Sequence, residues 1–145
     1  HAEIIAAEKN IKIVIAYLEG VQVYGDPVRL RQMIWNVVVN GIKYTQHGGE
    51  VKISVRGKGD GVLIIIQDDG IGISEEDLPL IFNRFYRVDK ARSRQEGGTG
   101  LGLSISKFIV DAHKGSIDIE SKMGEGTKFK ITLPKSGVLN PKKVE

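Results

Sequence analysis

A short apolar run, Val62-Leu63-Ile64-Ile65-Ile66, leads directly into Gln67-Asp68-Asp69-Gly70. A run of this length with apolar side chains on both faces reads as a strand in the middle of a sheet, since only a covered central strand hides successive side chains. Asp68 then stands where that strand leaves the sheet. Its carboxylate is expected to be partly desolvated there and to need hydrogen-bond donors.

The remaining elements follow from period and punctuation. Ala2 to Glu8 reads as the end of a helix. Ile11 to Ile15 and Val21 to Tyr24 read as two strands joined at Glu19-Gly20. Asp26-Pro27 opens a long helix, with Asp as N-cap and Pro at the first helical position, running to about Gln46 and stopping at His47-Gly48-Gly49. Glu50 to Gly57 alternates as a strand, with a turn at Lys58-Gly59-Asp60-Gly61 before the apolar strand. Ser74-Glu75-Glu76-Asp77 caps a short helix to Phe82, the stretch from Asn83 to Gly98 has no period, and Thr99 to His113 has helical spacing. Gly115 to Glu120 and Gly126 to Leu133 close the unit as a strand pair. The fold class is α/β: a two-layer sandwich, a mixed sheet of about five strands with about three helices on one face. Residues 1–134 form the domain and 135–145 a basic tail. Trp35, Phe108 and Tyr17 are expected in the core.

Composition excludes several functions. There are no cysteines, so disulfides, thiolate metal sites and cysteine nucleophiles are out. The formal net charge is +3, of which the tail carries +2. The near-neutral body argues against a nucleic-acid partner, which would demand a dense basic face. With 41% hydrophobic and 27% charged residues, whole-chain disorder is excluded. No run approaches the roughly 20 apolar residues of a membrane span, and the N-terminus lacks a signal-peptide pattern. The expectation is a cytoplasmic chain without membrane contact.

Three constellations carry chemistry. On the long helix, Arg29, Gln32, Asn36, Asn40, Lys43 and His47 share one face at spacings of three and four. A solvated face is the plain reading. However, asparagine is a poor helix former, and two of them one turn apart suggest a site. An amide oxygen suits Mg²⁺ otherwise held by water and phosphates, and a lysine one turn along can meet phosphate oxygens. In the second constellation, Asp68-Asp69-Gly70-Ile71-Gly72, an adenine amino group would satisfy Asp68, and the glycines remove side chains where a flat base approaches. A plain turn remains the alternative. It is not the dinucleotide fingerprint, because the third glycine is missing and the following helix is short and acidic. The third, Gly97-Gly98-Thr99-Gly100-Leu101-Gly102-Leu103, opens a helix and offers free backbone N–H groups to phosphate. It lacks the Lys-Ser or Lys-Thr of a Walker A loop. The turn Met123-Gly124-Glu125-Gly126-Thr127 by itself reads as a hairpin.

Together, in this order and spacing, these segments resemble the catalytic and ATP-binding domain of sensor histidine kinases, within the gyrase, Hsp90, histidine kinase and MutL ATPase group. The resemblance spans residues 7–134. Asp26 to Thr45 is similar to the family's N box, Asp68 to Gly72 to its G1 box, Ile81 to Arg87 to its F box, and Gly98 to Leu103 to its G2 box. It implies the Bergerat fold and ATP, with ADP as product, and Mg²⁺. It makes Asn40 the metal ligand, with Asn36 beside it at the phosphates. Lys43 and Tyr44 would contact phosphate and nucleotide, Asp68 would take the adenine amino group, and Gly70, Gly72 and Ile73 would line the base. Arg87 would lie near the transferred phosphate. Gly98, Thr99, Gly100, Leu101, Gly102 and Leu103 would line the phosphate path, and Thr127 would sit near the base. Asn36, Lys43 and Arg87 are the implied catalytic residues. Asp69 stands where the family often has Asn, Trp35 where Leu is frequent, and Gly41 where Ala is frequent.

Two features separate this chain from its hydrolytic cousins. Where gyrase-like and Hsp90-like members place a glutamate one turn before the metal-binding asparagine, this chain has Asn36. An amide cannot accept a proton from water, which favours transfer to an external nucleophile. Its three histidines, His1, His47 and His113, lack the context of a phosphoacceptor. The acceptor is therefore expected outside residues 1–145, in a dimerisation and phosphoacceptor helical domain of the same kinase, with a response regulator downstream. The resemblance implies a homodimeric full-length protein, open to a membrane anchor, and a monomeric fragment. A related serine or anti-sigma kinase and a binding-only nucleotide sensor stay open as alternatives. The segment from Asn83 to Gly97, net charge +3, is expected to act as a lid ordered by ATP.

Overall fold

The computed structural model describes residues 10–20, 23, 25–46, 48–84, 86 and 102–134. In chain order the described elements are β1 (Lys12–Leu18), α1 (Pro27–Tyr44), β2 (Glu50–Lys58), β3 (Gly61–Asp68), a 3₁₀ turn (Leu78–Leu80), α2 (Gly102–Ala112), β4 (Ser116–Lys122) and β5 (Gly126–Pro134). The sheet order is β1-β2-β3-β5-β4, with β1 parallel to β2 and every other pairing antiparallel. The apolar run is the central strand, as its sequence demands. Val62, Ile64 and Ile66 are buried, while Leu63 and Ile65 on the opposite face are half-buried.

One face of the sheet packs against both α-helices. Met33, Val37, Val38 and Ile42 of α1 and Ile109 and Val110 of α2 close over Val51, Ile64, Ile66, Phe129 and Ile131. Phe82 meets Phe129 edge-on, with ring centroids 6.4 Å apart. Each such aliphatic or aromatic side chain contributes about 1.5–3 kcal/mol when fully buried.

The two helices run antiparallel and are pinned at three levels. Asn36 Nδ2 donates to Gly102 O at 3.2 Å, Ser106 Oγ donates to Met33 O at 3.0 Å, and Asp26 N donates to His113 Nε2 at 3.1 Å. The last bond needs a proton-free Nε2, which is consistent with His113 Nδ1 donating to Ile109 O at 2.8 Å. Asp26 also caps α1, accepting from Val28 N and Arg29 N.

Four expectations change. Among the described residues there are two α-helices rather than about three, because the segment after Ser74 makes only a 3₁₀ turn. Pro79 cannot donate the backbone bond an α-helix would need there. Tyr86 instead ties this segment back by donating to the carboxylate of Asp77, which also accepts from Ser74 Oγ. Second, β1 runs on to Leu18. Val23 lies outside any strand, and Val21, Gln22 and Tyr24 lie outside the described residues. Third, Phe108 is 72% exposed and not core: the buried positions of α2 are Ser106, Ile109 and Val110, and Phe108 is off that stripe. Fourth, Tyr17 is 46% exposed, on the face of β1 away from the helices, with the Arg56 guanidinium stacked 4.6 Å from its ring centre. Trp35 is half-buried. No helix of the described residues is long and apolar enough to cross a membrane.

Candidate nucleotide site

Asp68 is the last residue of β3, flanked by Val51 on one side and Thr127 on the other. It is 6% exposed. Its Oδ1 accepts the N–H of Gly70 at 2.9 Å, and the carboxylate also accepts the N–H of Thr127. Burial raises its pKa from 3.8 to about 6; those two N–H groups hold it down, and the neighbouring Asp69 pushes it up. Asp69 turns away and accepts Glu50 N at 2.9 Å, a bond an asparagine could equally accept.

Close backbone approaches shape the floor around that carboxylate. A Cβ on Gly70 would lie 2.1 Å from Tyr44 O, at the last residue of α1, and Ile71 N donates to that same oxygen at 3.1 Å. Gly72 has φ +79 and a Cβ there would lie 2.2 Å from Lys122 O. Gly126, φ +98, presses on Asp68 O from the other side, where a Cβ would stand at 2.1 Å. The hairpin turn thus packs directly on the backbone of Asp68 and Asp69. On α1, a Cβ at Gly41 would reach Asp68 Oδ2 at 3.5 Å, an ordinary contact.

Beyond Thr127, Ser121 completes a row across three strands. Its Oγ accepts Ile73 N at 2.8 Å, donates to Gly126 O at 2.9 Å and meets Thr127 Oγ1 at 2.8 Å. Ser121 has no signal in the sequence, and Gly126 and Gly41 read there only as a hairpin residue and a departure from the family pattern; strand register and helix packing bring all three to Asp68.

The second cluster lies further along α1. Asn36 holds Gly102, where α2 begins, so the positive end of the α2 dipole meets the asparagine stripe. Asn36, Asn40, Lys43 and Tyr44 are half-buried, whereas Arg29 at the other end of the stripe is exposed. From Asn36 to Gly41 the helix rises roughly 7.5 Å, enough to set a phosphate side apart from a base side. Among the described residues no group of three or more His, Cys, Asp or Glu could hold a metal. A divalent cation here would rely on amide oxygens, water and ligand phosphates, the donor set Mg²⁺ accepts. The residue stripe fits that ion. Of the remaining expected positions, Leu103 is the second residue of α2, while Arg87, Gly98, Thr99, Gly100 and Leu101, with the rest of the expected lid beyond Tyr86, lie outside the described residues.

The site thus joins a buried carboxylate with bare backbone beside it to a helix whose Asn36 amide holds the start of α2, on a five-stranded α/β sheet. Residues 25–137 match the family described as histidine kinase-, DNA gyrase B-, and HSP90-like ATPases, and the chain belongs to that family. It is 42% identical over 132 residues to the sensor-like histidine kinase SenX3 of Mycolicibacterium smegmatis, which covers 91% of this chain and 34% of that protein. It is 40% identical over 131 residues to the sensor protein CiaH of Streptococcus pneumoniae, covering 90% of this chain and 30% of that protein. The chain therefore spans about a third of the length of these relatives. Among solved structures, the mycobacterial sensor histidine kinase MprB superposes with a TM-score of 0.79 at 30% identity, covering 91% of this chain and 89% of that one. Full-length ShkA in complex with AMPPNP superposes with a TM-score of 0.78 at 28% identity, covering 97% of this chain and 29% of that one. The five-stranded mixed sheet is that of histidine kinase catalytic domains.

Proposed function

We propose that this domain binds ATP with Mg²⁺ and transfers the γ-phosphate to a histidine of a sensor histidine kinase that lies outside residues 1–145. The observation that carries the reading is the Asp68 carboxylate, buried at the end of the central strand and held by two backbone N–H groups, with lone pairs left for an amino donor. Gly70, Gly72 and Ile73 admit the flat base, and Thr127 stands beside it. Tyr44 and Lys43 continue toward the phosphates. Asn40 would offer its amide oxygen to Mg²⁺, which when bound would neutralise phosphate charge, with Asn36 beside it at the phosphates. Gly102 and Leu103 would line the phosphate side, and the resemblance to the family adds Gly98 to Leu101 and Arg87 to it.

In the transfer, an imidazole nitrogen bonds to the γ-phosphorus, the bond from that phosphorus to the bridging oxygen breaks, ADP leaves, and the imidazole releases its proton. This chain's part is positioning and charge neutralisation. Asn36 cannot act as general base, so water is a poor acceptor. His113 is buried and engaged at both ring nitrogens, which sets it apart from the acceptor role. The helical dimerisation domain of the same homodimeric kinase would present the acceptor, and a response regulator would take the phosphate onward.

The test incubates this chain with γ-labelled MgATP and the helical domain of the longer protein. The expected label is on the helical domain and is acid-labile and base-stable. An acid-stable label would point to a serine kinase. ATP binding without transfer to any acceptor would point to a nucleotide sensor.

A further inference from the structure

Ser121 makes three hydrogen-bond contacts with one proton to give. A serine hydroxyl carries one donor and two acceptor lone pairs. The N–H of Ile73, at 2.8 Å, can only donate, and so uses a lone pair of Ser121 Oγ. The carbonyl of Gly126, at 2.9 Å, can only accept, and so takes the Ser121 proton. The contact between Ser121 Oγ and Thr127 Oγ1 at 2.8 Å then has a single solution. Thr127 must donate to Ser121.

Thr127 is 6% exposed and lies directly opposite Asp68 on β3 and Ser121 on β4, so the three side chains form one row on the helix-facing side of the sheet. With its proton committed to Ser121, Thr127 Oγ1 has only lone pairs left. The ionised Asp68 is likewise acceptor-only.

We propose that Ser121 is a specificity-determining positioning residue, which fixes the proton of Thr127 so that the pocket presents acceptors alone and selects a base bearing an amino group over one bearing a carbonyl at the same position. This rests on the adenine reading of the pocket. An unconstrained threonine hydroxyl would rotate to donate to a carbonyl as readily as it accepts from an amine, and would discriminate less.

The experiment is a double-mutant cycle of Ser121→Ala and Thr127→Val, read by calorimetric titration with ADP and with IDP, in which a carbonyl replaces the amino group. Ser121→Ala should weaken ADP binding about tenfold, the order of one neutral hydrogen bond, and narrow the ADP over IDP preference. In the Thr127→Val background the same substitution should leave the ADP over IDP preference unchanged, since only the Thr127 hydroxyl carries the relay. Ser121→Thr, which keeps the hydroxyl, should restore both affinity and preference. Equal effects of Ser121→Ala on that preference with and without the Thr127 hydroxyl would overturn the relay, as would an unchanged ADP over IDP ratio in folded Ser121→Ala. If the parent chain itself failed to bind ADP, the adenine reading would fall, and the relay with it.

Discussion

The carboxylate of Asp68 accepts the backbone N–H of Gly70 at 2.9 Å with both residues buried, and burial disfavours its charge more than that bond favours it. The consequence for stability has a definite sign. Because the pKa is raised in the fold from 3.8 to about 6, this group's contribution is complete below its unfolded value and is lost as pH rises through about 6. The nucleotide-free protein should lose up to roughly 2–3 kcal/mol from this source between acid and neutral pH. Urea unfolding of Asp68→Asn across that range should show a flatter profile and greater stability than the parent at neutral pH. A variant less stable than the parent there would contradict it.

Two glycines near that acid should respond oppositely to alanine. Gly41 lies inside α1, and its Cβ would stand 3.5 Å from both Asp68 Oδ2 and Val51 Cγ2. Gly41→Ala should therefore gain about 0.5–1 kcal/mol from helix propensity. At Gly70 the Cβ would lie 2.1 Å from the carbonyl of Tyr44, backbone against backbone, with no flexible group to yield. Gly70→Ala should cost about 2 kcal/mol or more and displace the loop under the base. Denaturation midpoints of the two variants, measured side by side, test the contrast.

His113 fastens the end of α2 to the start of α1, and Gly25 is bare because a Cβ would come within 2.6 Å of its ring. His113→Ala should cost about 2–4 kcal/mol, through the cavity and the orphaned Asp26 N–H. Nucleotide affinity at temperatures where the variant stays folded should change little, since the base pocket is built on other bonds. A large loss of affinity in folded protein would show that the helix clamp reaches the site.

The parts of this molecule that could be read from sequence are those where local chemistry and fold agree. The run into Asp68 had to be a central strand, and the Asp26-Pro27 start of α1 is where capping places it. Asn36 and Asn40 stood out because they are costly in a helix interior. Phe108 and Tyr17 were misplaced by residue type. Spacing held the correction for Phe108, since Ser106, Ile109, Val110 and His113 form the buried stripe and leave it out. The 3₁₀ turn followed from Pro79. Ser121 had no local signal, since it joins Thr127 and Asp68 only through the register of the β4–β5 hairpin against β3, a strand far away in sequence.

The proposed function depends most on Asp68 as the acceptor of an adenine amino group. Calorimetric titration of the parent and of Asp68→Asn with ADP and Mg²⁺ at neutral pH tests this directly, because asparagine keeps the shape and the bond to Gly70 while replacing half the carboxylate with a donor. The expected result is binding by the parent and a loss of roughly 1.5–3 kcal/mol in the variant, the range for a hydrogen bond to a charged group. Equal affinity of the two proteins for ADP would contradict it.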